Sequence, residues 1–295
     1  RRLLMDYLNA FREMISLRGL TDHTVTSYST YIKVYLEYLE TILLKSPEDV
    51  SWQEMRDFIR WLQHQKKLSD RTINAVISQL RFFTIYVLHK SWDQTQLPTR
   101  RFDTYLPIVP SQKETWTFLS TIEDLKFKAI MSLMYSSGLR SGEVRHLRYS
   151  DVSRSSMRVY VAQTKSRSDR YAVLSENALD ILTEYWFSCG RPMDWLFPSD
   201  KPGRGGRIVP VSSQYMSSHI REHELSLGWE HRFTAHSFRH AFATHLYENG
   251  ADLLTIQTLM GHKSINSTTI YIHLADVNSR AFKSPFDQMG GHCHE

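Results

Sequence analysis

Two cysteines, Cys189 and Cys293, are all that the 295 residues contain. That is too few for a disulfide framework, and it fits a reducing compartment. Long apolar runs are also missing: no stretch approaches the ~18 residues that a membrane span requires, so no membrane partner is expected. The opening run, Arg1-Arg2-Leu3-Leu4-Met5-Asp6, turns polar too soon to serve as a secretory signal. A cytoplasmic location is the expectation. No internal repeat is present.

What is there describes a globular chain, with 41% apolar and 23% charged residues over a length that suits two ordinary domains. The formal charge of +5 and a pI near 9.1 suit a polyanionic partner. Basicity of this size is common in unrelated proteins and only permits nucleic-acid binding.

Four helices are expected in the first part. Leu8, Phe11 and Ile15 form one apolar face, and Val25, Ile32, Tyr35, Leu36 and Leu39 form another behind N-cap candidates at Thr21 to Thr24. Ser51 can cap a helix bearing Met55, Phe58, Ile59 and Leu62, and Ser69 one bearing Ile73, Ile77, Leu80 and Phe83. Between Trp92 and Gln112 the periodicity stops and Pro98, Pro107 and Pro110 appear, a linker composition. The expected division is therefore a helical domain at 1–95, a linker at 96–110 and a second domain at 111–295. The second domain opens with a helix bearing Phe127, Ile130, Met131 and Met134 that Gly138 ends. A hairpin follows, with Met157, Val159 and Val161 alternating against Arg158 and Tyr160, and Tyr171 to Leu174 as its second strand. More helices complete the chain. The fold class is mostly α with a small β-hairpin or sheet, a helical bundle joined to an α+β domain.

Five fragments of the second domain can carry chemistry. Gly138-Leu139-Arg140 is followed by Glu143, a carboxylate spaced to hold the Arg140 guanidinium. Lys165 sits at the hairpin tip. His236 and Arg239 lie three apart on one helix and can reach one anionic group together. Gly261 closes a helix and aims His262. Nine residues beyond His262, Thr268-Thr269-Ile270-Tyr271 places a tyrosine. Each fragment alone reads more readily as ordinary surface or core.

Taken in order, the five resemble the motifs of the tyrosine recombinase (phage integrase) family, of the minimal two-domain Xer-like type. The resemblance extends to the first domain, where Gly19-Leu20-Thr21 through Tyr28, and Thr72-Ile73 through Leu80-Arg81-Phe82-Phe83, look like the family's SAM-like core-binding domain. One departure is visible: the family's hairpin lysine is often flanked by glycines, whereas this chain has Thr164-Lys165-Ser166. The resemblance implies Tyr271 as nucleophile, Arg140, Lys165, His236, Arg239 and His262 as catalytic residues, and Glu143 in support. It implies double-stranded DNA with short inverted-repeat core sites as partner, four protomers on that DNA, each lending its C-terminal segment to a neighbour, and no cofactor. Accessory proteins are not legible in the sequence. No further arm-binding domain is expected before Leu3, which fits a minimal recombinase, with a mobile element as its expected source.

The chemistry agrees with those assignments. Arg140 and Arg239, with His262 donating, can neutralise a phosphodiester without a metal. Tyrosine, with a pKa near ~10 in water, needs an acceptor for its proton, and His236 is the candidate. Lys165 would protonate the departing 5′ oxygen. Arg167 and Arg170, close by, are poor acids. Rival readings are a type IB topoisomerase, a catalytically idle DNA-binding regulator, and a metal site at His236, His240 and His245 or in the tail His292-Cys293-His294-Glu295. His245 falls off the face shared by the other two helix histidines, and no acid stands near them.

Overall fold

The computed structural model describes residues 2–20, 22–102, 105–162, 169–230 and 232–275, and the chain divides into two compact units, Arg1–Thr104 and Tyr105–Glu295. In the first unit, α1 (Arg2–Ser16), α2 (Asp22–Tyr38), α3 (Trp52–His64) and α4 (Asp70–Tyr86) form a bundle. Local chemistry sets their starts: Ser51 and Glu54 form a reciprocal capping box at α3, and the Ser69 hydroxyl accepts from the Thr72 amide at α4. The expected cap residue Thr21 lies outside the described residues. The apolar faces meet around Tyr35, whose ring centroid is 5.0 Å from Phe58 and 6.2 Å from Phe83. α2 runs on into a π-helical turn, Leu39–Leu43. Past α4, Leu97 is buried in the same core, and Arg100 pairs with Asp70 at 2.8 Å.

The second unit begins with α5 (Gln112–Ser120), started by a Ser111–Glu114 capping box, and α6 (Leu125–Ser137). A short α7 (Ser141–Arg145) precedes an antiparallel sheet in the order β1 (Val152–Ser153), β2 (Arg158–Val161), β3 (Arg170–Val173). Val159 pairs with Ala172, and both are buried, as is Val161, so this face of the sheet closes on the helices. Met157, expected at the start of the strand, instead has φ +50° in the turn before it. The chain continues through α8 (Glu176–Ser188), α9 (Ser213–Ser226), α10 (Ala235–Glu248), α11 (Leu253–Met260) and α12 (Ile270–Leu274). Two clusters cover α10 from opposite sides: Phe238 belongs to the main core, while Ala243 packs with Ile256, Met260 and Tyr271. The architecture is mostly helical with a small sheet, a helical bundle preceding an α+β unit, as expected. Among the described residues no helix is long and apolar enough to cross a membrane.

Candidate active site

The site is assembled on helix ends. α6 stops at Gly138, whose φ is +60° and where a Cβ would lie 2.5 Å from the Phe242 ring, so only glycine fits this turn. Two residues on, Arg140 opens α7. Its amide donates to Glu143 Oε2 at 2.8 Å and its Nη1 to Oε1 at 2.7 Å. Glu143 has no exposed side-chain surface, and a second guanidinium reaches it from the first residue of β3: Arg170 donates Nη1 to Oε1 and Nη2 to Oε2, both at 2.8 Å. Burial alone would raise the Glu143 pKa. The bonds and charge of Arg170, then the bonds of Arg140, outweigh it and hold the carboxyl down at about 2.

Arg239 lies beneath this pair, only 3% exposed. Its Nη2 donates to the Met260 carbonyl at 2.6 Å, and its Nη1 donates to the Gly138 carbonyl. One side chain thus ties the turn that leads to Arg140 to the turn that leads to His262. Nη1 also stands 3.9 Å from Glu143 Oε2. Burial and repulsion from Arg140 lower the Arg239 pKa to about 10, which leaves it charged at neutral pH. The guanidinium groups of Arg140, Arg170 and Arg239 face one carboxylate here, so a surplus of positive charge remains. Arg140 is the most open of them, with its side chain 29% exposed.

α11 closes on Gly261, at φ +62°, where a Cβ would come within 2.7 Å of Arg170 Cδ. His262 follows, its Nδ1 3.0 Å from the Thr268 hydroxyl and its ring parallel to that of Tyr271, 6.1 Å away at 14°. Tyr271 is fully buried on α12, with its hydroxyl 3.4 Å from His240 Nδ1. Burial raises its pKa to about 12 against the opposing pull of Arg239 and Arg140. His240 is pushed down to about 4 by burial, His236 and Arg239. Burial, Arg239 and Arg140 do the same to His262. Both imidazoles are neutral at neutral pH and can donate one N–H without adding charge.

Residues 111–277 match the model of the phage integrase family, and residues 7–94 match that of the phage integrase N-terminal SAM-like domain. The chain belongs to the phage integrase family. It is 35% identical to an integrase/recombinase of Sinorhizobium fredii across 93% of this chain and 86% of that one. A tyrosine recombinase of Pseudothermotoga lettingae is 30% identical, with 89% and 91% covered. In fold it resembles a lambda integrase dimer bound to a COC′ core site, at a TM-score of 0.70 and 18% identity over 95% of this chain and 98% of that one. The protein is therefore a tyrosine recombinase, of a family that performs site-specific DNA recombination.

Within this tyrosine recombinase, Arg140, Glu143, Arg239, His262 and Tyr271 come together. His236 stands exposed at the edge, its ring 6.4 Å from that of His240. Lys165 lies outside the described residues. The sequence reading put His236 and Arg239 within reach of one anionic group, whereas Arg239 is buried against the Gly138 and Met260 carbonyls and His236 stays exposed. Sequence reasoning gave two neighbours of the site other roles: His240, one helical turn beyond His236, was weighed only as a metal ligand, and Arg170 only as a proton donor. Among the described residues no group of three His, Cys, Asp or Glu is placed to hold a metal ion; the tail from His292 to Glu295 is not among them.

Proposed function

We propose that this protein breaks and rejoins DNA strands at short inverted-repeat core sites through a 3′-phosphotyrosine on Tyr271. The observation that carries this reading is geometric: the Tyr271 ring lies parallel to that of His262, 6.1 Å away, on the turn that Arg239 holds through the Met260 carbonyl, and Arg239 and Arg140 stand at the same carboxylate in a site with surplus positive charge. A scissile phosphate held by Arg140, Arg239 and His262 would have its developing charge met by guanidinium and imidazole donors. The Tyr271 oxygen attacks phosphorus and the bond to the 5′ oxygen breaks. Lys165 supplies the proton to that oxygen, and His236 accepts the tyrosine proton once DNA has drawn the hydroxyl away from His240. Glu143 orients Arg140. A 5′-hydroxyl of another strand then attacks the phosphotyrosine and religates without ATP. Exchange between two duplexes calls for four protomers, each lending its C-terminal segment to a neighbour, acting in the cytoplasm and in the service of a mobile element.

Sequencing the DNA that becomes covalently trapped on the protein tests this reading. One short inverted repeat shared by the trapped fragments is the expected result. Unrelated trapped sequences, together with plasmid relaxation by the monomer, would favour a type IB topoisomerase instead.

A further inference from the structure

We propose that Arg170 is a positioning residue for strand cleavage: by taking up Glu143, it leaves Arg140 its orientation and its positive charge for the scissile phosphate. The inference rests on the reading of the site given above. Glu143 offers two oxygens, and Arg170 spans both with parallel bonds of 2.8 Å, while the side chain of Arg140 reaches only Oε1. Without Arg170, the Glu143 oxygens that its fork now holds would be open to a second bond from the Arg140 guanidinium, which would pull that group inward and offset its charge. With Arg170 in place the carboxylate is already matched, and Arg140 keeps donors and charge to offer outward.

Exposure separates the two arginines. The Arg170 side chain is 12% exposed and that of Arg140 29%, so the outward-facing group is Arg140 and Arg170 works through Glu143. Arg170 is also carried by a strand, and its stem fills the space beside Gly261 that a Cβ would need, which fixes the turn before His262. One residue therefore braces both the arginine and the histidine that would flank the phosphate. The direction of the Glu143 pKa agrees, since Arg170 is the largest contributor holding that carboxyl ionised.

A double-mutant cycle on covalent adduct formation with a nicked DNA substrate tests this. Arg170→Met is expected to slow adduct formation by about 10²-fold, the usual cost of an ångström-scale misplacement, with DNA affinity little changed. In an Arg140→Ala background the same change should cost less than about threefold, because its effect passes through Arg140. A similar loss in both backgrounds, or a loss under about threefold in the wild type, would overturn the proposal. Where Arg170→Met does not melt cooperatively, the cycle is run with Arg170→Lys, which keeps the charge and loses the fork. A crystal structure of the same Arg170 variant gives a readout free of activity, so that an inactive wild type would sink only the reading of the site. The expected result is Arg140 turned onto both Glu143 oxygens, and an unmoved Arg140 would contradict the inference.

Discussion

Arg239 shows how one residue can be structural and electrostatic at once. Both terminal nitrogens are engaged by backbone carbonyls, Gly138 and Met260, yet its charge acts on Tyr271 and His262. A lysine there would offer a point charge and lose the planar fork. Arg239→Lys is expected to cut adduct formation by at least about 10²-fold and to lower the melting temperature, with a loss of roughly 1.5–3 kcal/mol for the charged hydrogen bond given up. Near-normal cleavage in this variant would remove Arg239 from the phosphate site. Lys165 is tested by chemistry: Lys165→Ala should slow cleavage of an ordinary phosphodiester by about 10²–10⁴-fold. It should cut a substrate with bridging 5′ sulfur near the wild-type rate, because a thiolate leaves without a proton. Equal slowness on both substrates would refute the acid role.

The histidines make stability depend on pH in a definite direction. His240 and His262 are held at about 4, below the ordinary 6.5, so between those values the unfolded chain binds protons that the folded site refuses. Their neutral burial favours folding above that window, and stability is lost as the pH falls through it. The melting temperature should drop between near-neutral pH and pH ~4, and His240→Gln should flatten the drop. A variant with an unchanged pH profile would show that His240 is not the group that titrates.

At the scale of elements, the site hangs on two glycine turns. Gly261→Ala combines a left-handed backbone, worth about 1–2 kcal/mol against a side chain, with a Cβ pressed onto Arg170. It should lower both melting temperature and cleavage rate, whereas full activity would show that Arg170 can give way freely. These turns were legible in the sequence because glycine after a helical stripe is local chemistry, as are the caps at Ser51 and Ser69. The burial of Arg239 was not. The α10 stripe marks one covered face, and nothing in its period says that α11 and α12 cover the other. Nor does alternation in β2 reveal that Arg170, opposite Val161 in β3, reaches across to Glu143. The two-residue β1 was missed as well, being too short to carry a pattern. The order of the five motifs conveyed the family, while their mutual support emerged only from packing.

For the whole molecule, a basic two-unit chain acting on duplex DNA should lose affinity steeply with salt, as displaced counterions return to the phosphates. An affinity indifferent to ionic strength would argue against phosphate contacts as the main source of binding. On the proposed mechanism, in which guanidinium groups meet the charge of the phosphate, EDTA is expected to leave cleavage intact. Strong inhibition reversed by added divalent ion would contradict that.

The central claim is that Tyr271 makes the covalent bond to DNA, and the most direct test is a nicked suicide substrate carrying the recovered core site. Wild type should give a denaturation-resistant protein–DNA adduct whose linked peptide contains Tyr271. Tyr271→Phe, which keeps the buried ring, should bind the same DNA with near-equal affinity and give none. An adduct in that variant, or linkage at another residue such as Tyr247, would contradict the account.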